Sequence, residues 1–342
     1  MKAMILAAGY GTRLGILSEQ RPKPMLPVGN IPLISHAIAL LKRAGISEIA
    51  INTHHRGDHL TRYLGDGSSH DVTIHWSHEE GEILGTGGGV KKIRDFIGKE
   101  ALVVMNGKMV TTCDLGAVIR FHEQRGALGT MVLRPDPNAS KWGSIGAASD
   151  GRLASILGKG PSGDDVGSAP TMFTGISVID PAFIDTLPEG PSCMVRQGWK
   201  PLFQQGHPLY GYVMDETEYW HEHSTPERYF EGNRNLFRHD LLTRLPAAFT
   251  EHTIPADVSL TPEAMTLTGA NCQFGEGVTL RNMVILGDDV TIHDGVTLSD
   301  CVVWPRSTID ASHENAIITP RGVLPISSDA GEGFTGPALK KQ

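Results

Sequence analysis

Two interlocked series of apolar side chains run through the last quarter of the chain at a fixed spacing of six. Val278, Val284, Val290, Val296 and Val302 form one series. Leu280, Leu286, Ile292, Leu298 and Trp304 form the other, two residues later, and Cys272 and Phe274 extend both by one step. Gly275, Gly277, Gly287 and Gly295 fall between them. A β-sandwich built of hairpins does not hold a strict period of six. A parallel β-helix with three short faces per coil does, because each face supplies one inward aliphatic side chain per hexad. The pattern predicts a short left-handed β-helix over residues 258–310, about two coils long, which must lean on another body. The Gly/Pro/Ser-rich stretch 311–342 reads as an extended, loosely packed tail.

The first 243 residues follow another rhythm. Short apolar runs (Ala3–Ala7, Ile49–Ile51, Val72–Trp76, Ala101–Met105, Thr130–Leu133, Thr174–Ile179) alternate with helical patterns such as Leu33–Ala44 and His59–Leu64. That alternation implies an α/β fold, a mostly parallel Rossmann-like sheet between helices. Thr225 followed by Pro226 reads as the N-cap and first position of a helix running to about Leu242. Residues 244–257 read as a linker. The chain has 342 residues with 40% hydrophobic and 20% charged, an ordinary globular composition. Its formal charge of −8 disfavours nucleic-acid backbone and acidic lipid as partners. No 18-residue apolar run suggests a membrane span. The opening Lys2–Ala8 is too short before Gly9 and Arg13 for a signal peptide. Four scattered cysteines without a CxxC pair read as reduced thiols of a cytoplasmic protein.

The chemistry-bearing motif follows the first strand: Leu6-Ala7-Ala8-Gly9-Tyr10-Gly11-Thr12-Arg13. Two glycines let backbone N–H groups wrap an anion, and Arg13 adds a fixed charge. The loop lacks the third glycine of a dinucleotide fingerprint and the Gly-Lys-Ser/Thr of a Walker loop. Arg21-Pro22-Lys23-Pro24-Met25-Leu26-Pro27 comes next, with prolines on both sides stiffening the backbone that aims Lys23.

With these two motifs in this order, the sequence resembles the sugar nucleotidyltransferases, or NDP-sugar pyrophosphorylases, over residues 1–305. Within them it is most similar to mannose-1-phosphate guanylyltransferases and glucose-1-phosphate thymidylyl- or uridylyltransferases that carry a C-terminal β-helix. Glu82–Gly89 resembles the family's base-binding segment. Asn106-Gly107 stands where the family has Asn-Gly-Asp. Lys141-Trp142-Gly143 and Phe173-Thr174-Gly175 resemble sugar-contacting segments, and Tyr219–Tyr229 the Trp-x-Asp-x-Gly-Thr-Pro-Glu stretch. The resemblance implies an enzyme that transfers a nucleotidyl group from a nucleoside triphosphate to a sugar 1-phosphate. It implies nucleotide contacts from Leu6, Ala7, Ala8, Gly9, Gly11, Thr12, Gly85, Thr86, Gly87 and Asn106. Gly143, Lys159 and Thr174 would meet the sugar phosphate, while Arg13, Lys23 and Lys108 would act on the reacting phosphates.

Two positions depart from the family pattern. Mg²⁺ is normally held by two aspartates, and here Lys108 and Glu222 occupy those places. Glu222 keeps a carboxylate as metal ligand. An ammonium about 4 Å from a divalent ion is repelled by roughly 8 kcal/mol at an effective dielectric near 20, so Lys108 weakens Mg²⁺ binding. Either Lys108 stands in for the metal, or the chain is an impaired paralogue that binds nucleotide or NDP-sugar and regulates an active partner. The β-helix suggests self-association, or a hetero-oligomer with such a partner. In His221-Glu222-His223 the strand alternation turns both imidazoles away from the carboxylate, against a three-ligand metal site. Gly158 also replaces the glutamate that usually precedes the sugar-phosphate lysine.

Overall fold

The computed structural model describes residues 1–245 and 252–327. Its centre is a seven-stranded sheet. In chain order the strands are β1 (Lys2–Leu6), β2 (Glu48–Thr53), β3 (Thr73–His78), β4 (Leu102–Asn106), β5 (Gly129–Pro135), β6 (Thr171–Ile179) and β7 (Leu209–Val213). In space the order is β7-β5-β6-β4-β1-β2-β3. All neighbours run parallel except β6, which is antiparallel to both β4 and β5. The alternation of side chains along β1 shows why both faces need covering. Ala3 and Ile5 join one core, with Ile34, Ile38 and Leu41 of helix α1 (Leu33–Arg43). Met4 points the other way, into a core with Val90 of helix α2 (Gly85–Lys92), Phe183 and Trp199. Helix α3 (Leu115–Gln124) starts at Asp114, whose side chain accepts from the Ala117 N–H. No helix among the described residues is long and apolar enough to cross a membrane.

The C-terminal strands stack in parallel coils with three faces. One face pairs 259–260 with 279–280 and 297–298, a second pairs 265–268 with 283–286 and 301–303, and a third pairs 273–274 with 291–292 and 308–309. The stack is longer than the hexads suggested. His313–Thr319 pairs in parallel with the preceding coil, and Gly322–Pro325 folds back antiparallel to close that end. The expected loose tail therefore carries two strands between residues 313 and 325; its remainder, 328–342, lies outside the described residues. So do residues 246–251 of the expected linker.

The hexad pattern also fails at one step, for a geometric reason. Leu280 pairs with Leu298, eighteen residues on, but Val284 pairs with Cys301, seventeen on. One residue less reverses which side chains face inward. Cys301 and Val303 fill the coil interior. Val302 and Trp304 turn outward instead, into a core shared with the N-terminal domain.

That shared core explains how a short coil stack is held. Leu14, Leu17, Leu26, Val28 and Tyr229 pack with Leu267, Met283, Ile285, Val302, Trp304 and Ile317. Trp304 is buried and its indole N–H donates to the Tyr229 hydroxyl at 3.0 Å. That hydroxyl donates in turn to the Pro27 carbonyl at 2.6 Å. Arg21 lies over the Trp304 ring at 5.3 Å, and the Asn30 amide donates to the Leu286 carbonyl at 2.7 Å. Tyr229 sits on helix α4 (Pro226–Arg238), capped by Thr225 with Pro226 in its first turn; the helix ends at Arg238, short of Leu242, and a further turn covers Leu241–Arg244. The coil stack thus grips both ends of the segment that carries Lys23.

Candidate active site

Ligands of a parallel sheet sit beyond the carboxyl ends of its strands, and two adjoining clefts open there. The first, about 640 Å³ and open to solvent, is lined by Leu6, Ala7, Ala8, Gly9, Lys23, Pro24, Asn52, Ile83, Gly85, Thr86, Asn106, Gly107 and Lys108. The glycine loop is fixed at its root. The Ala7 N–H donates to Asn52 Oδ1 at 2.7 Å, the Asn52 amide to Glu79 Oε1 at 2.7 Å, and the Leu84 N–H to Glu79 Oε2 at 2.8 Å. This chain ties the loop to the segment that closes the other side. Gly11 takes φ +71°, a conformation that favours glycine, and lets the loop pass over the Lys23 stem. Lys23 is mostly enclosed. Burial, with repulsion from Lys108 and Arg13 against attraction from Glu222, brings its pKa down to about 8.

The glycines at 85–88 have a packing reason the sequence did not reveal. A Cβ on Gly85 or Gly87 would lie 2.6 Å from an atom of Ser192, and one on Gly88 would lie 2.1 Å from the Gly190 carbonyl. They let α2 press against segment 190–194. Gly85 and Thr86 still line the first cleft, while Gly87 is buried in that packing and does not. The Thr86 hydroxyl accepts from the Met194 N–H at 2.9 Å. Gly11 and Thr12 line neither cleft.

The second cleft, about 1220 Å³ with its solvent-open part, shares Asn106 and Lys108 with the first. Its walls include Arg13, Arg134, Asp136, Gly143, Met172, Phe173, Thr174, Trp220, Glu222 and Arg228. At the junction Met109–Thr111 pairs antiparallel with Trp220–Glu222, setting Glu222 beside Lys108. Lys108 Nζ lies 2.9 Å from Glu222 Oε2, and Arg228 Nε lies 3.2 Å from Glu222 Oε1. Burial alone pushes the Glu222 carboxyl up. Lys108, the hydrogen bond from the Ser224 hydroxyl and Arg228 together overcome that and hold it at about 2. Lys159 does not enter either cleft. It is half exposed and pairs with Asp165 at 3.2 Å.

Residues 2–238 match the family model described as "Nucleotidyl transferase". The chain belongs to the nucleotidyl transferase family. A UTP--glucose-1-phosphate uridylyltransferase of Synechocystis is 26% identical over 90% of this chain and 84% of its own length. A mannose-1-phosphate guanylyltransferase of Mycobacterium tuberculosis is 28% identical over 88% of this chain and 82% of its own length. A solved structure from Bacillus anthracis, assigned as a glucose-1-phosphate thymidylyltransferase and bound to sucrose, superposes with TM-score 0.56 at 22% identity. It covers 68% of this chain and 94% of that one, and it supports the fold.

The family's usual divalent ion does not fit the donor set found here. Both Glu222 oxygens already hold cationic groups, and Lys108 stands where the second carboxylate would be. No cluster of three His, Cys, Asp or Glu able to hold a metal occurs among the described residues. In this structure Glu222, expected as a metal ligand, is the counterion of Lys108 and Arg228. The neighbouring imidazoles each meet a backbone carbonyl, of Arg228 and of Lys108. His221 meets the Arg228 carbonyl at 2.8 Å, and burial, with repulsion from Arg228, brings its pKa down to about 4. His223 packs against His221 at 5.1 Å and is fully buried, which keeps it neutral.

Sequence reasoning overlooked Asn52, Arg134, Asp136 and Arg228. Asn52 left a legible trace, a polar side chain ending the apolar run Ile49–Ile51. Arg134 and Asp136 lie two residues apart at the end of β5, and they meet Arg228 only because β5 and α4 converge on the 220–222 strand.

Proposed function

We propose that this protein transfers a nucleotidyl group from a nucleoside triphosphate to a sugar 1-phosphate, with the Lys108 ammonium standing where a divalent cation serves other members. The observation that carries this reading is the Lys108–Glu222 pair at the junction of the two clefts. The nucleotide occupies the first cleft, with its phosphates under Gly9 and toward Lys23. The sugar 1-phosphate occupies the second. An oxygen of its phosphate attacks the α-phosphorus, the bond to the bridging oxygen of the β-phosphate breaks, and pyrophosphate leaves with the bonding electron pair. Such transfer rests on alignment and charge neutralisation rather than a protein nucleophile. Arg13 and Lys23 neutralise the leaving pyrophosphate and Lys108 the reacting α-phosphate. Glu222 and Arg228 keep the Lys108 ammonium at one position. Pinning it that way leaves less side-chain freedom to lose when substrates bind.

The test is pyrophosphate release from pairs of nucleoside triphosphates and sugar 1-phosphates, with and without chelator. Turnover should persist in chelator and fall at least a hundredfold in Lys108→Ala. The same Lys108–Glu222 contact also favours a second reading, a regulatory subunit whose junction is closed by an ion pair. In that case wild type binds nucleotide or NDP-sugar without turnover, and Lys108→Asp creates Mg²⁺-dependent activity. Self-association is part of this proposal too, through the first coil, where Leu260 and Met265 are exposed.

A further inference from the structure

The second cleft holds four cationic side chains, Arg13, Lys108, Arg134 and Arg228, against two carboxylates, Asp136 and Glu222. Arg13 and Lys108 face the nucleotide phosphates in the reading above, which leaves Arg134 and Arg228 for the phosphate of the acceptor. Lys159, which the resemblance offered for that phosphate, is turned to solvent and paired with Asp165. The residue before it is Gly158, so no carboxylate beside it remains to share in sugar recognition.

We propose that Arg134 and Arg228 form the clamp for the phosphate of the acceptor, in place of Lys159. This rests on the nucleotidyl-transfer reading above. The two guanidinium groups are anchored at opposite ends of one short strand. Arg134 Nη1 donates to the Trp220 carbonyl at 3.0 Å, and its guanidinium lies 5.2 Å over the Trp220 ring. Arg228 Nε donates to the Glu222 carbonyl at 3.1 Å. Two residues of strand separate those carbonyls, about 7 Å, a span one phosphate can bridge. Each head group is held by backbone, so little side-chain freedom is lost on binding. Each also has one carboxylate beside it, Asp136 at 3.6 Å from Arg134 and Glu222 at 3.2 Å from Arg228. Planar guanidinium forks suit phosphate oxygens better than a single ammonium does.

Burial lowers the pKa of Arg228, attraction to Glu222 opposes that, and repulsion from Arg134 adds to it. Both guanidinium groups line the same cleft, where an anionic ligand would relieve that repulsion. The apolar walls from Ile145, Leu157, Met172 and Phe173 leave the phosphate as the main polar handle of the ligand.

The test uses the full-length protein and calorimetric titration with glucose 1-phosphate, mannose 1-phosphate and the common nucleoside triphosphates. Unphosphorylated glucose and mannose serve as controls. Arg134→Gln should weaken sugar 1-phosphate binding at least tenfold and leave nucleotide binding within twofold. Arg134→Lys and Arg228→Lys, which keep the charge and lose the fork, should weaken it about three- to tenfold. Lys159→Ala should leave both ligands within twofold. Thermal melts confirm that each variant is folded. If sugar 1-phosphates bind wild type and the arginine variants bind them equally well, or if Lys159→Ala loses binding instead, the clamp is overturned and the transfer reading stands. If wild type binds nucleotides and no sugar 1-phosphate, the clamp falls together with the acceptor half of that reading.

Discussion

At the scale of single residues, charge decides most of what the site can do. Lys23 has a pKa of about 8, lowered by burial and by its cationic neighbours. Only its ammonium form attracts a triphosphate, so the group works below that pH and fails above it. Nucleotide affinity should be flat up to about pH 7 and fall as pH rises through 8, by up to tenfold per pH unit for one proton. Lys23→Arg, which stays charged, should remove that fall in titrations between pH 6.5 and 9.5. Glu222 behaves in the opposite sense. Its carboxyl is held at about 2 against an ordinary value of 4.5, so the ion pair with Lys108 stays closed across any neutral-pH assay. The stability it contributes is present above pH 4.5 and is lost as pH falls toward 2. Glu222→Gln should therefore lower the melting temperature at pH 7, and the gap to wild type should shrink between pH 4.5 and 2.

At the scale of elements, close packing sets the terms. Helix α2 approaches segment 190–194 so tightly that a Cβ on Gly88 would sit 2.1 Å from the Gly190 carbonyl. Gly88→Ala must push backbone apart, and a loss of about 1–3 kcal/mol is expected from denaturant unfolding. A Gly88→Ala variant as stable as wild type would show that the helix shifts freely. The coil stack gives a second case. Trp304 leaves the coil interior because the pairing loses one residue, and it becomes the link between the stack and Tyr229. Trp304→Phe keeps most of the ring and loses one hydrogen bond, at a cost of about 1 kcal/mol. Trp304→Ala opens a cavity and should cost about 3–5 kcal/mol. If the coil stack also steadies the Lys23 segment, Trp304→Ala should weaken nucleotide binding in protein that remains folded, although Trp304 lines neither cleft.

For the molecule as a whole, local patterns and long-range geometry divide the information between them. Period-two and period-3.6 patterning gave the strands and helices of the sheet domain, because each element must bury one face whatever its neighbours are. The glycine loop and Lys23 were legible for a similar reason, because each lies in a short local motif, whereas Asn106 was legible only through the resemblance. The hexads foretold a coil stack but misplaced Val302 and Trp304, because a slip of one residue between coils leaves no mark in either coil alone. Lys108 and Glu222 could each be singled out in sequence as departures from a pattern. That they neutralise one another follows from the pairing of 109–111 with 220–222. The convergence of Arg134 and Arg228 belongs to the same class. The sequence by itself determined which groups are charged and which segments are stiff. Tertiary structure alone decided that Lys108 lies 2.9 Å from Glu222, because that contact joins residues more than a hundred positions apart, whereas Arg228–Glu222, Arg134–Asp136 and Lys159–Asp165 each pair within about six residues.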